Sequence, residues 1–236
     1  MKNKIIIGEF DARPNRFLGM VKIDDSIIEA HIPNPGRMYE LMIPGKKVFL
    51  REANSTSRRT KYTMIAVEHE GLMVSLDSNL PNRFIKTLLL EHKLDMFSGY
   101  DTVKPEPKVY NGRFDFKLTG PKGTTLIEVK SCTLVEDGHA LFPDSPTIRG
   151  TRHLLHLAKS LKDGIAQRAA VIFVIQRPDA ILFSPNEPTD PKFALALRSA
   201  NSQGVEIFPL VTRLENWELR LEKHIPFDLS FFKRDS

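Results

Sequence analysis

One cysteine and one tryptophan occur among 236 residues. A lone thiol excludes an internal disulfide framework and any zinc site built from several cysteines. Long apolar runs are missing too. The longest, at 169–175, falls far short of the ~20 residues a membrane-spanning helix needs. The opening stretch MKNKIIIGEF has no extended apolar segment and no small-residue cleavage site of a secretory leader, so a cytoplasmic protein is expected. No repeat, low-complexity segment or Gly-rich nucleotide-phosphate loop is present. Neither sign of charge dominates: Lys plus Arg is 34 and Asp plus Glu is 29, a net of +5. That balance suits a polyanion partner and an ordinary enzyme alike. With 41% hydrophobic residues, the chain carries enough apolar material for a sizeable core.

Short apolar runs at 4–10, 17–23, 27–32, 47–51, 62–68 and 72–76 fill the first third. Between them sit turn residues such as Arg13-Pro14-Asn15, Asp24-Asp25, Pro33-Asn34-Pro35-Gly36 and Pro44-Gly45. This spacing predicts a small OB-like β-barrel over 1–81, interrupted by a short helix at 37–42. From Asn82 the period turns helical, with Phe84, Leu88 and Leu94 on one side. Strands follow at 113–118 and 125–129. A helix over 146–162 is predicted from Ser145 as N-cap and Pro146 in the first turn. Strands at 170–175 and 180–184, a helix from Asp190-Pro191 to Gly204 and a strand at 205–210 complete the pattern. Helices alternating with strands predict a mixed α/β domain over 82–236, with the boundary near Leu80-Pro81.

The chemistry gathers in one predicted hairpin, Gly112-Arg113-Phe114-Asp115-Phe116-Lys117-Leu118 and Leu126-Ile127-Glu128-Val129-Lys130. If residues 120–123 make the turn, 118 pairs with 125 and 115 falls opposite 128. Side chains alternate along a strand. Asp115, Glu128 and Lys130 then share one face, and Phe114, Phe116 and Leu118 take the other. Two carboxylates one strand apart form a hard-oxygen site suited to Mg²⁺ or Mn²⁺. A lysine beside them can hold a water or stabilise charge on a phosphate. That is the equipment of metal-assisted phosphodiester hydrolysis, although the same residues would also make a plain cross-strand charge cluster. Glu-x-Lys recurs at Glu91 and Glu106; only at Glu128 does it lie in an apolar strand with an Asp on the paired strand.

These residues carry a resemblance. GRFDF at 112–116, IEVKSCTL at 127–134 and FPDSPTIRGTRHLLHL at 142–157 are similar to the C-terminal domain of the sugar fermentation stimulation protein (SfsA) family, which resembles PD-(D/E)xK nucleases. NPGRM at 34–38 resembles a second signature of that family, and the likeness continues through AAVIFVIQ and SQGVEI. The resemblance implies an OB-like N-terminal domain, a nuclease-like α/β C-terminal domain, DNA binding and a role in expressing sugar-utilisation genes. It matches Asp115, Glu128 and Lys130 to the nuclease motif, Asp115 and Glu128 to the ligands of Mg²⁺ or Mn²⁺, and Glu91 to an additional acid. Phe114 stands where the motif's name has proline. Two functions are thus expected, DNA binding of low sequence specificity and, alternatively, metal-dependent DNA cleavage. The expected partner is DNA, with a homodimer allowed and no membrane.

Candidate DNA contacts form two groups. On the helix over 146–162, Arg149, Arg152, His153, His156 and Ser160 recur at three- and four-residue spacing, opposite Leu154, Leu157, Ala158, Leu161 and Ile165. In the barrel, the candidates are Arg13, Arg16, Arg37, Arg51, Arg58, Arg59 and Lys61. Cys132, His31, His69, His92 and Trp217 are expected to be structural or exposed, and Gln176 ends an apolar strand that could reach the site.

Overall fold

The computed structural model describes residues 4–53 and 59–230. The chain runs β1 (Ile5–Asn15), β2 (Leu18–Ile23), β3 (Ser26–His31), β4 (Lys47–Glu52), β5 (Tyr62–His69), β6 (Leu72–Ser75), then α1 (Leu80–Leu90) and a 3₁₀ turn at Asp95–Phe97. It continues with β7 (Thr102–Pro105), β8 (Lys108–Val109), β9 (Gly112–Arg113), β10 (Phe116–Gly120), β11 (Gly123–Cys132), β12 (Val135–Glu136) and β13 (His139–Phe142). The last elements are α2 (Ile148–Lys162), β14 (Arg168–Ile175), β15 (Leu182–Pro185), α3 (Pro191–Ser202), β16 (Glu206–Glu215) and β17 (Glu218–His224).

The first sheet has the order β3-β2-β1-β4-β5-β6, and β3 also pairs with β5 through Ala30↔Tyr62 and His31↔Thr63. That pairing closes a five-strand barrel and removes its open edges. Phe10, Val21, Ile32, Leu50, Met64 and Val74 fill it. The 37–42 helix expected from sequence is absent. The segment makes a single turn, with Leu41 and Met42 N–H donating to the Met38 carbonyl. Met38 adopts a left-handed φ of 52° while its side chain is fully buried in the barrel core. Burial of that side chain outweighs local helix preference.

The second sheet has the order β17-β16-β14-β11-β10-β7, with β11, β14 and β16 parallel and the outer strands antiparallel. It is a mixed α/β sheet, as the alternating pattern implied. One face packs on α2 and α3 through Leu126, Phe173, Leu154, Phe193 and Leu197. The other packs on α1 through Ile127, Val129, Ile172, Ile85 and Leu89. Helix α2 starts later than Ser145-Pro146 suggested. Its N-cap is Thr147, whose side chain accepts from the Gly150 amide. Thr147 takes the cap because its own amide is anchored by Asp190 Oδ2 (2.7 Å), which leaves its hydroxyl facing the first turn. Asp190 caps α3 as expected, accepting from the Phe193 amide.

Barrel and α/β domain meet through both polar and apolar contacts. Asp144 Oδ2 accepts from Met38 N (3.2 Å), and Phe49 tilts against Trp217 at 5.5 Å. Gly36 packs directly against Asp144, where a Cβ would stand 2.4 Å from Asp144 Oδ2. A side chain at position 36 would push the Asp144 carboxylate off the Met38 amide.

Candidate functional site

The β10–β11 hairpin has the expected register, with Leu118 opposite Thr125. Its ladder stops at Phe116↔Ile127. Just beyond, Val129 N donates to the Asp115 carboxylate at Oδ2 (2.7 Å), and Asp115 N donates to Ile127 O (3.1 Å). Asp115 Oδ1 accepts from Asn82 Nδ2 (2.6 Å) in the first turn of α1. Leaving the ladder breaks the alternation. Phe114 joins the α2–α3 side, edge-on to His153 at 6.1 Å, while Phe116 and Leu118 join the α1 side. The shared face expected for these three residues is therefore corrected.

Glu128 is 3% exposed in the middle of β11. Its Oε1 accepts from Lys130 Nζ (2.6 Å) and bonds His153 Nδ1. Its Oε2 is buried without a hydrogen-bond partner. Burial alone would raise the Glu128 pKa, but Lys130 and His153 outweigh it and hold the carboxyl below its ordinary value. Asp115 goes the other way. Burial, then the charge of Glu128, raises it to about 6, against the Val129 N–H donor, the charge of Lys130 and the Asn82 amide donor. A buried and a half-buried carboxylate close enough to repel, the buried one with an unpartnered oxygen, are a donor set that a hard divalent cation fits. Among the described residues no group of three or more His, Cys, Asp or Glu forms a ready ligand set, so two carboxylates are what the protein offers.

Glu91 is corrected. It caps the far end of α1 and pairs with Lys93 (2.7 Å), nine residues or about 13 Å of helix from Asn82. The helix approaches Asp115 by its first turn, not its last. His153 and Ser160 are also corrected, because both are buried and so are not part of an exposed basic stripe. His153 is drawn inward by Glu128, with Arg149 Nε donating to its Nε2 (3.4 Å), and Ser160 donates to Leu157 O (2.7 Å). Arg149 and Arg152 remain exposed, and His156 lies under Tyr110 at 5.2 Å. Ile165, expected on the apolar face, is 42% exposed.

In the barrel, Arg13 is corrected as a phosphate contact. Its guanidinium donates to the carbonyls of Arg16 (2.8 Å), Asn34 (3.1 Å) and Arg37, so it ties loops together. Arg16 and Arg37 stay exposed, with Arg37 6.0 Å over the Tyr39 ring. Arg59 faces Glu29 (3.8 Å), and Lys61 pairs with Glu52 (3.4 Å). Arg51 is half-buried, and Arg58 lies outside the described residues. Gln176 donates to Ser131 Oγ (2.9 Å), whose position alternates with Lys130 and so falls on the opposite face. Cys132 is buried, and burial pushes its thiol pKa up. His92 stacks on Tyr100 at 4.8 Å.

Two contacts were not anticipated from sequence. Asn82 was signalled by Pro81, which belongs in a first turn and so puts Asn82 there too. His153 as the partner of Glu128 had no signal.

A closed barrel joined to a mixed α/β sheet, with an Asp–Glu–Lys cluster at its central hairpin, defines a two-domain protein. Family models match both parts: the SfsA N-terminal OB domain over residues 12–76, and the sugar fermentation stimulation protein RE domain over 79–218. A sugar fermentation stimulation protein homolog of Desulforamulus reducens is 43% identical over 96% of this chain and 93% of its own length. One from Acetivibrio thermocellus is 40% identical over 94% and 95%. A solved structure of Pyrococcus furiosus SfsA in complex with Ca²⁺ is 31% identical, with TM-score 0.86 over 95% of this chain and 96% of that one. The chain belongs to the sugar fermentation stimulation protein (SfsA) family. No helix among the described residues is long and apolar enough to cross a membrane.

Proposed function

We propose that the protein binds DNA and that Asp115, Glu128 and Lys130 form a divalent-metal-dependent centre for phosphodiester hydrolysis, in a nuclease-like domain beginning near Leu80-Pro81. The observation that carries this reading is the buried, unpartnered Oε2 of Glu128 beside an Asp115 whose pKa is raised to about 6. The Ca²⁺ held by the Pyrococcus furiosus relative supports a hard divalent cation, Mg²⁺ or Mn²⁺ in use. Asp115 and Glu128 would be its ligands. Bound there, the ion would supply Lewis-acid stabilisation of negative charge on a phosphate.

The chain's own residues prepare that chemistry. Asn82 and the Val129 amide fix the Asp115 carboxylate from two sides. His153, backed by Arg149, fixes Glu128 through Oε1 and leaves the buried Oε2 without a partner. Lys130 places a cation where a phosphate would gather charge. The exposed Arg149, Arg152, Arg16 and Arg37 offer phosphate contacts that read no sequence. A second reading, DNA binding without cleavage in the control of sugar-utilisation genes, rests on the same lysine. Lys130 Nζ already lies 2.6 Å from Glu128 Oε1 and neutralises it without a metal.

Calorimetry with Mn²⁺ tests the ligand assignment. Heat corresponding to about millimolar affinity or tighter is expected for the unaltered protein, with none for Asp115→Asn. Equal heats from both would sink it. Gel shifts between about 50 and 200 mM salt test the DNA reading, since a phosphate-dominated interface weakens steeply over that range.

A further inference from the structure

Beside the barrel lies a cleft of about 660 Å³ lined by Arg16, Arg37, Tyr39, Ser145 and Pro146 among others. A second, of about 300 Å³, is lined by Phe17, His31 and Arg59, and both share Asn15. Two aromatic rings stand out of this surface. Phe17 is 51% exposed, near-parallel to His31 at 21° with centroids 6.3 Å apart. Tyr39 is 74% exposed, with the Arg37 guanidinium 6.0 Å over its ring. The backbone holding Phe17 is fixed on both sides: its N–H donates to Asn15 Oδ1 (3.0 Å), and its carbonyl accepts from Ile32 N (2.9 Å). Packing buries neither ring, and phosphate contacts do not need them.

We propose that this double cleft takes a single-stranded stretch of DNA, with unpaired bases stacking on Phe17 and Tyr39 and phosphates lying on Arg16 and Arg37. The inference deepens the DNA-binding reading and rests on it. In a duplex, the faces of the bases are covered by their neighbours, so exposed rings gain little from it. An unpaired base offers a free π-face to aromatic side chains, whatever its sequence. Charges interleaved with the rings supply the backbone contacts such a strand requires. The surface also leads toward the carboxylates. Pro146 borders the cleft just before α2, and five residues into α2, about 8 Å along it, His153 touches Glu128. A strand seated on the rings would therefore reach the N-terminal end of α2, the end nearer the helix residue that touches Glu128.

The test is fluorescence anisotropy of the full chain in EDTA, with a labelled short single strand, the matching blunt duplex and a duplex carrying a single-stranded tail. The single strand and tailed duplex should bind more tightly than the blunt one. Phe17→Ala and Tyr39→Ala should each weaken single-strand binding by about tenfold and leave blunt-duplex binding nearly unchanged. Arg16→Ala plus Arg37→Ala should weaken both. Circular dichroism should show both aromatic variants folded, as expected for rings this exposed. Equal or tighter binding of the blunt duplex, or ring variants that do not discriminate between substrates, would overturn the single-strand inference and leave DNA binding standing. Failure to bind any of the three DNAs would overturn both.

Discussion

Replacing Lys130 by Met removes a charge while keeping most of the side-chain stem, and the surroundings of Glu128 determine the cost. Glu128 is 3% exposed, and its Oε1 loses a 2.6 Å charge-assisted bond. Breaking a buried pair by removing one partner costs about 3–5 kcal/mol, because the remaining charge stays desolvated. His153 still touches the same oxygen, so the lower end, about 3 kcal/mol, is expected. For a chain of this size that lowers Tm by about 6–12 °C. The pH dependence has a definite sign. Glu128 is held below its ordinary pKa in the fold, so its stabilisation is present above the unfolded value and lost as pH falls through the folded one. The cost of Lys130→Met should thus be full at neutral pH and shrink in acid. Thermal unfolding in EDTA at both pH values measures it, and Glu128→Gln completes a double-mutant cycle with an expected coupling of about 2–3 kcal/mol. A loss below about 0.5 kcal/mol at neutral pH, or no coupling, would refute the picture of a buried, lysine-neutralised carboxylate.

Burial, with smaller contributions from Asp144 and Glu136, raises Glu40 to about 7 despite Arg177, and its Oε1 is buried without a partner. A carboxyl raised in the fold costs stability as pH climbs through that value, so Glu40→Gln should gain about 1–3 kcal/mol near pH 8 and nothing near pH 4 in thermal melts. Gly36→Ala forces a Cβ to within 2.4 Å of Asp144 Oδ2 and should cost about 1–3 kcal/mol, read as a lower urea midpoint with unchanged slope. Arg149→Ala plus Arg152→Ala should flatten the plot of log affinity against log salt by about two contacts' worth, near 0.9 each, in a DNA titration.

Much of the fold could be read from the chain because local and global signals agreed. Turn dipeptides separated the barrel runs, Asp190-Pro191 marked the start of α3, and the Gly120–Gly123 turn fixed the hairpin register that puts Asp115 near Glu128. Failures came where distant residues decided. The segment after Gly36 looked helical, yet Asp144, more than a hundred positions away, binds the Met38 amide while the barrel core takes the Met38 side chain. His153 sat at the border of a basic stripe, and periodicity cannot report a buried carboxylate on another strand waiting for it. Arg13 read as a surface cation because nothing local announced the carbonyls it joins. Glu91 was one helix end away from the position that matters, and Asn82, a neutral amide, did not look like part of a charged site.

Whether Asp115, Glu128 and Lys130 form a working metal centre is decided by Mn²⁺-dependent nicking of supercoiled plasmid, run with the purified full chain and with Glu128→Gln. Nicking should require the ion and fall by about 10²-fold or more in Glu128→Gln. No nicking with any divalent cation, or nicking undiminished in Glu128→Gln, would contradict the assignment.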